Sequence, residues 1–160
     1  MQISKHFKLS EFIKSQVATR NGIKNMPGSG DIKNLGNVAY EILEPVRAKF
    51  EKPVMINSGY RCLELNRKIG SSDSSQHTKG MAVDFEIIGT PNIQVAYWVQ
   101  NNCDFDQLIL EFYRPDEDNA GWIHASYCDG NNRKQVLTFD GKSYTDGLPE
   151  MEWKDGKVKE

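Results

Sequence analysis

Two histidines and one aspartate stand out as residues able to do chemistry. His77 follows the small, polar stretch GSSDSSQ at 70–76 and precedes Thr78-Lys79-Gly80. Asp84 lies seven residues later, inside the apolar run MAVDFEII. A carboxylate there is costly to bury without a partner, and a metal ion is such a partner. His124 sits in WIHASY, flanked by Trp122, Ile123 and Ala125. Two imidazoles and one carboxylate form a common three-ligand zinc set that leaves a fourth position for water, and such a site supports hydrolysis near neutral pH. Residue type alone leaves plainer readings open. A strand histidine is often structural, and Asp84 could pair with Arg61 or with a backbone donor. The third histidine, His6, has no partner in view and reads as structural or exposed.

The elements that must position these residues can be read from periodicity. Ser10 is a candidate N-cap with Glu11 in the first turn of a short helix, and Asn21-Gly22 stops it. Ile32, Leu35, Val38, Ala39, Ile42, Leu43, Val46 and Phe50 recur at helical spacing, with Pro45 expected to kink or break the helix. Residues 53–57 read as a strand, and Met81–Ile88 as another. Thr90-Pro91 predicts an N-cap with proline at N1 of a helix ending near Asn101-Asn102. From 107 onward QLILEF, WIHASY and QVLTF are short, hairpin-like strands. Helices first and strands last predict an α+β fold, an antiparallel sheet with flanking helices, in one domain over 1–148. A polar, loosely held tail is expected over 149–160.

The bulk numbers agree. The chain has 160 residues, enough for one core, and a formal net charge of −2, so no overall basic footprint for nucleic acid is present. Three cysteines, Cys62, Cys103 and Cys128, contain no CxxC pair and read as reduced thiols; Cys128 alone could join a mixed ligand set. The N-terminal residues MQISKHFKLSEF have no apolar h-region, and no window approaches a membrane span. The expectation is a protein made in the cytoplasm without a signal peptide, with no membrane span, acting as a monomer.

The blocks SGYR (58–61), SQHTKGMAVDF (75–85) and WIHAS (122–126) resemble the signature of a family of zinc peptidases. That family includes D-alanyl-D-alanine carboxypeptidases and bacteriophage L-alanyl-D-glutamate endolysins. Its pattern, Ser-x-His-x-x-Gly-x-Ala-x-Asp followed by Trp-x-His, is met by Ser75, His77, Gly80, Ala82, Asp84, Trp122 and His124. HFKLSEF and LEPVRAKF resemble the subgroup common in phage and bacterial genomes. The resemblance spans residues 6–140.

It implies a fold of the hedgehog and DD-peptidase type, with one zinc ion held by His77, Asp84 and His124. Bacterial peptidoglycan would be the partner, and the reaction hydrolysis of amide bonds in its stem peptides, of carboxypeptidase or endolysin type. The enzyme would then act on the wall after release during phage lysis, or as part of a virion. Arg61 would bind substrate and stabilise the oxyanion, with a structural ion pair as the alternative. Ser75 would hydrogen-bond substrate or a ligand, or cap its loop. Trp122 would wall the pocket, and Gly80 would allow a tight turn beneath the metal.

The general base departs from the pattern. Many members carry a glutamate three residues before the last histidine, and here that position is Gly121. Glu111, in the strand LILEF, is the best replacement, because an adjacent antiparallel strand carrying His124 would bring it within reach. Asp116, Glu117 and Asp118 are the alternatives, or else a solvated turn. A missing acid also keeps open a catalytically impaired zinc-containing binding or virion structural module. A serine hydrolase built on Ser75 lacks the GxSxG elbow.

Overall fold

The computed structural model describes residues 1–154 and 157–159, with side chains through Met151. The tail expected over 149–160 falls partly outside them. Its first residues are held: the Tyr97 hydroxyl donates to the Pro149 carbonyl at 2.5 Å, and Met151 packs against the core.

The N-terminal strands β1 (Gln2–Ser4) and β2 (Phe7–Lys8) form a small hairpin. The single helix expected next is two, α1 (Leu9–Ile13) and α2 (Gln16–Arg20). Lys8, not Ser10, caps α1, and its N–H donates to the Glu11 carboxylate at 2.7 Å. Lys14 is extended, and the Ser15 side chain caps α2, so a cap signal inside the stretch divides it.

The long helix comprises α3 (Ser29–Val38), a π-helical turn (Ala39–Leu43) and α4 (Glu44–Phe50). The wide turn ends two residues before Pro45. Proline has no N–H to give, and its ring crowds the carbonyl four residues back, so one enlarged turn absorbs the misfit without breaking the helix.

Next come β3 (Met55–Ser58), α5 (Leu63–Lys68), a 3₁₀ turn (Gln76–Lys79), β4 (Ala82–Glu86) and α6 (Asn92–Asn102). Pro91, rather than Thr90, occupies the N-cap position of α6, and its carbonyl accepts from Gln94 and Val95. The chain continues through β5 (Gln107–Glu111), β6 (Trp122–Ser126), β7 (Gln135–Phe139) and β8 (Tyr144–Asp146). Last is a separate pair, β9 (Glu152–Lys154) and β10 (Lys157–Lys159). Among the described residues no helix is long and apolar enough to cross a membrane.

Six strands form the main sheet, in the order β3-β4-β6-β5-β7-β8. Its ladders are antiparallel except one: β7 lies beside β5 in parallel. β6 already sits between β4 and β5, so β7, running opposite to β6, finds its free edge on the far side of β5. The α+β fold, an antiparallel-rich sheet with flanking helices, is as expected, and β5–β7 is its one parallel pair among the described residues.

Strand alternation divides the sheet into two faces. Val83, Phe85, Leu108, Leu110, Ile123 and Ala125 are buried and pack with Leu35 and Val38 of α3, Ile42 of the π turn, and Val95 and Val99 of α6. Each fully buried side chain of this size contributes roughly 1.5–3 kcal/mol. The opposite face carries Asp84, His124 and Glu111, so the layer that stabilises the fold also fixes the backbone from which they project.

A candidate metal centre on the open face of the sheet

Asp84 on β4 and His124 on β6 are direct cross-strand partners, and Ile109 on β5 is the next residue across. Side chains so paired share a face. His124 Nδ1 lies 2.9 Å from Asp84 Oδ1. His77 comes from outside the sheet, on the 3₁₀ turn, and its Nε2 lies 3.5 Å from Asp84 Oδ2. The two imidazole rings stand 5.3 Å apart. One ligand atom from each of the three residues lies within 4.8 Å of the other two. Tetrahedral zinc with bonds of about 2.0–2.1 Å needs ligand atoms roughly 3.3 Å apart, so small side-chain adjustments suffice.

The surroundings of His77 suit a ligand. Its Nδ1 lies 2.7 Å from the Gly59 carbonyl, which can only accept, so Nδ1 carries the proton and Nε2 keeps its lone pair toward Asp84. Burial holds the His77 imidazolium below its usual range, although Asp84 opposes this. The ring is therefore neutral where a metal needs it neutral. Burial alone would raise the Asp84 carboxyl, but the two histidines outweigh it and hold the group well below its ordinary value. The donor set and its protonation fit one zinc ion.

Local sequence builds this turn. Ser75 Oγ accepts from the His77 N–H at 3.3 Å, so the serine caps the turn that carries the histidine. The Arg61 N–H donates to the His77 carbonyl at 3.1 Å, tying the SGYR block to it. Gly80 closes the turn at φ +71°, and a Cβ there would lie 2.5 Å from the Asp31 carbonyl oxygen of α3. Only glycine permits that approach.

Beside this turn lies a hydrogen-bonded cluster that sequence reading misses. Asp106 is buried, and Gln76 Nε2 donates to its Oδ2 at 2.8 Å. Arg133 donates to the same carboxylate from its backbone N–H, Nε and Nη2, at 3.0, 3.0 and 2.8 Å. Asp106 and Arg133 are 27 residues apart, so no local pattern links them; the only sequence signal is an acid directly before an apolar strand. The Arg133 hydrogen bonds outweigh burial and hold the Asp106 carboxyl well below its ordinary range. A depressed folded pKa gives stability that is complete above the unfolded value, about 3.9, and is lost as pH falls below it. Asp106→Asn is therefore expected to cost about 2 kcal/mol near neutral pH and to flatten the acid side of the stability profile. Urea unfolding at pH values above and below about 3.9 measures both.

Glu111 ends β5 opposite Trp122, on the same face as His124. It is half-buried, and burial raises its carboxyl, His124 opposing and Asp84 adding to the shift. Asp116, Glu117 and Asp118 are exposed in the loop between β5 and β6. Glu117 faces Arg114 at 3.5 Å, and the Asp118 carbonyl accepts from Asn92. Of the four acids, Glu111 alone is in electrostatic contact with the ligand residues among the described residues. Trp122 packs against Phe112, with ring centres 5.0 Å apart.

Arg61 lies on the far side of Asp84. Its guanidinium is largely desolvated, which lowers its pKa against the pull of Asp84, and its buried Nε has no hydrogen-bond partner. The three cysteines are all free thiols, and none belongs to the cluster.

A family model described as Peptidase M15 matches residues 5–125, a span that contains every residue of this cluster. No curated protein matches the chain.

Proposed function

Because this chain belongs to the Peptidase M15 family, we propose that it is a zinc-dependent hydrolase of amide bonds in the stem peptides of peptidoglycan, of carboxypeptidase or endolysin type. The observation that carries the reading is the convergence of His77, Asp84 and His124 within 4.8 Å, with Glu111 on the neighbouring strand of the same face.

His77, Asp84 and His124 would hold the ion. Zinc bound there would bring the pKa of a water toward neutrality and polarise the carbonyl to be attacked. The Gly59 carbonyl fixes the His77 tautomer, and the Asp84 carboxylate holds His124 in place across the ladder. Glu111, made more basic by its half-buried setting, takes the proton from the attacking water and passes it to the leaving amine. Arg61, whose buried Nε has no hydrogen-bond partner among the described residues, binds a substrate carboxylate or the developing oxyanion. Trp122 walls the side of the site next to Glu111.

The test is release of new amino groups from purified peptidoglycan, with zinc measured on the same sample. Chelation is expected to abolish release, and added zinc to restore it. Stoichiometric zinc with no release from any wall type would instead identify a binding or virion module of this fold.

A further inference from the structure

The metal centre opens on its Arg61 side into a cleft of about 330 Å³ between α2 and β3. Asp84 and Arg61 line it together with Lys14, Gln16 and Arg20. It leads into a wider basin of about 700 Å³, lined again by Lys14, Gln16 and Arg20. Three cations thus face one carboxylate, and that carboxylate is already engaged by His77 and His124. Lys14 and Arg20 are exposed, and neither makes an ion pair among the described residues. Arg61 keeps a buried, unpartnered Nε in the same cleft. The chain as a whole is slightly acidic, so this local excess of positive charge is not a general property of its surface. Uncompensated cations along a concave wall raise the local concentration of anions and set the orientation of a bound one.

We propose that the Lys14–Arg20 arm of this cleft is a carboxylate subsite. The substrate is an acidic peptide, and a carboxylate remote from the bond being cut is held by Lys14 and Arg20, while Arg61 takes the group next to that bond. This assignment rests on the peptidase reading and adds to it a requirement on the substrate: amidation of the remote carboxylate weakens recognition.

The experiment compares two L-alanyl-γ-D-glutamyl-L-lysine peptides, identical except that the C-terminal lysyl carboxylate, remote from the L-alanyl-D-glutamate bond, is free in one and amidated in the other. Each exposed pair contributes up to about fivefold in affinity, so wild type is expected to prefer the free acid by about tenfold in kcat/KM. The preference should shrink as salt rises. In the Lys14→Gln/Arg20→Gln protein the ratio falls to near one, with zinc content and melting temperature as in wild type. A wild type indifferent to amidation, or a double variant that keeps the preference, overturns the subsite.

Binding of the same peptides to zinc-loaded Glu111→Gln protein, by calorimetry, separates this from the peptidase reading. A preference in binding without turnover by wild type would remove cleavage of the L-alanyl-D-glutamate bond and leave the subsite standing. Turnover without a preference would remove the subsite alone.

Discussion

Replacing Glu111 by glutamine is expected to leave zinc bound and the fold intact while slowing hydrolysis by about 10²- to 10⁴-fold, the usual weight of a positioned general base. Asp84→Ala, by contrast, should lose zinc and rate together, because it removes the one group that both histidines face. Glutamine keeps the shape of glutamate and loses only its ability to accept a proton. The change should not cost stability. Burial raises the Glu111 pKa, so its ionised form is disfavoured in the folded protein, and a neutral isostere relieves that penalty. A pH profile supplies a second readout. The base must be ionised to work, so kcat/KM falls on the acid side as Glu111 takes up its proton. That acid limb should vanish in the glutamine protein. Amine release and zinc content across pH measure both effects. A Glu111→Gln enzyme with full rate would move the base to the 116–118 loop.

The three candidate ligands were legible because each breaks its context. An aspartate and a histidine inside apolar strands, and a histidine after a polar loop, need partners that local structure does not offer. The sheet that pairs Asp84 with His124 and brings Glu111 alongside followed from three short apolar runs and their turns. What escaped sequence reading depends on distant contacts. The parallel seat of β7 is decided by which edge β6 leaves free, and no strand encodes that in its own residues. α5 has only six residues and buries only Leu65 and Asn66, too short a pattern to register. The Gly59 carbonyl that orients His77 is backbone and has no side-chain signature. Pro45 signals a kink or break in sequence, but whether a helix kinks, stops or widens depends on its packing. Here the flanking residues Ala39, Ile42, Leu43 and Val46 are all buried, so continuity is worth more than an ideal turn.

Gly121 carries the other large effect. In sequence it looks like a lost catalytic acid, yet its place in the fold excludes any side chain. Its φ is +69°, and a Cβ would lie 1.8 Å from the Glu111 carbonyl oxygen, 2.8 Å from the carbon of that carbonyl and 3.1 Å from the Phe112 carbonyl carbon. These are backbone atoms, and Phe112 is itself at φ 52°, so this corner between β5 and β6 has no flexible group to yield. The left-handed conformation costs a non-glycine residue about 1–2 kcal/mol, and overpacking adds typically 1–3 kcal/mol. Gly121→Ala is therefore expected to lose about 2–5 kcal/mol in urea unfolding, enough to unfold much of a marginal domain. Any relaxation must push Glu111 away from β6, the strand that carries His124, so rate should fall beyond what the lost stability explains. The same geometry predicts that Gly121→Glu cannot rescue Glu111→Gln. The backbone contact that forbids an acid at 121 is with Glu111 itself, and two acids cannot serve one site from both positions. A folded, zinc-loaded Glu111→Gln/Gly121→Glu protein with restored amine release would show that the corner can open, and that Glu111 is not the residue the site requires.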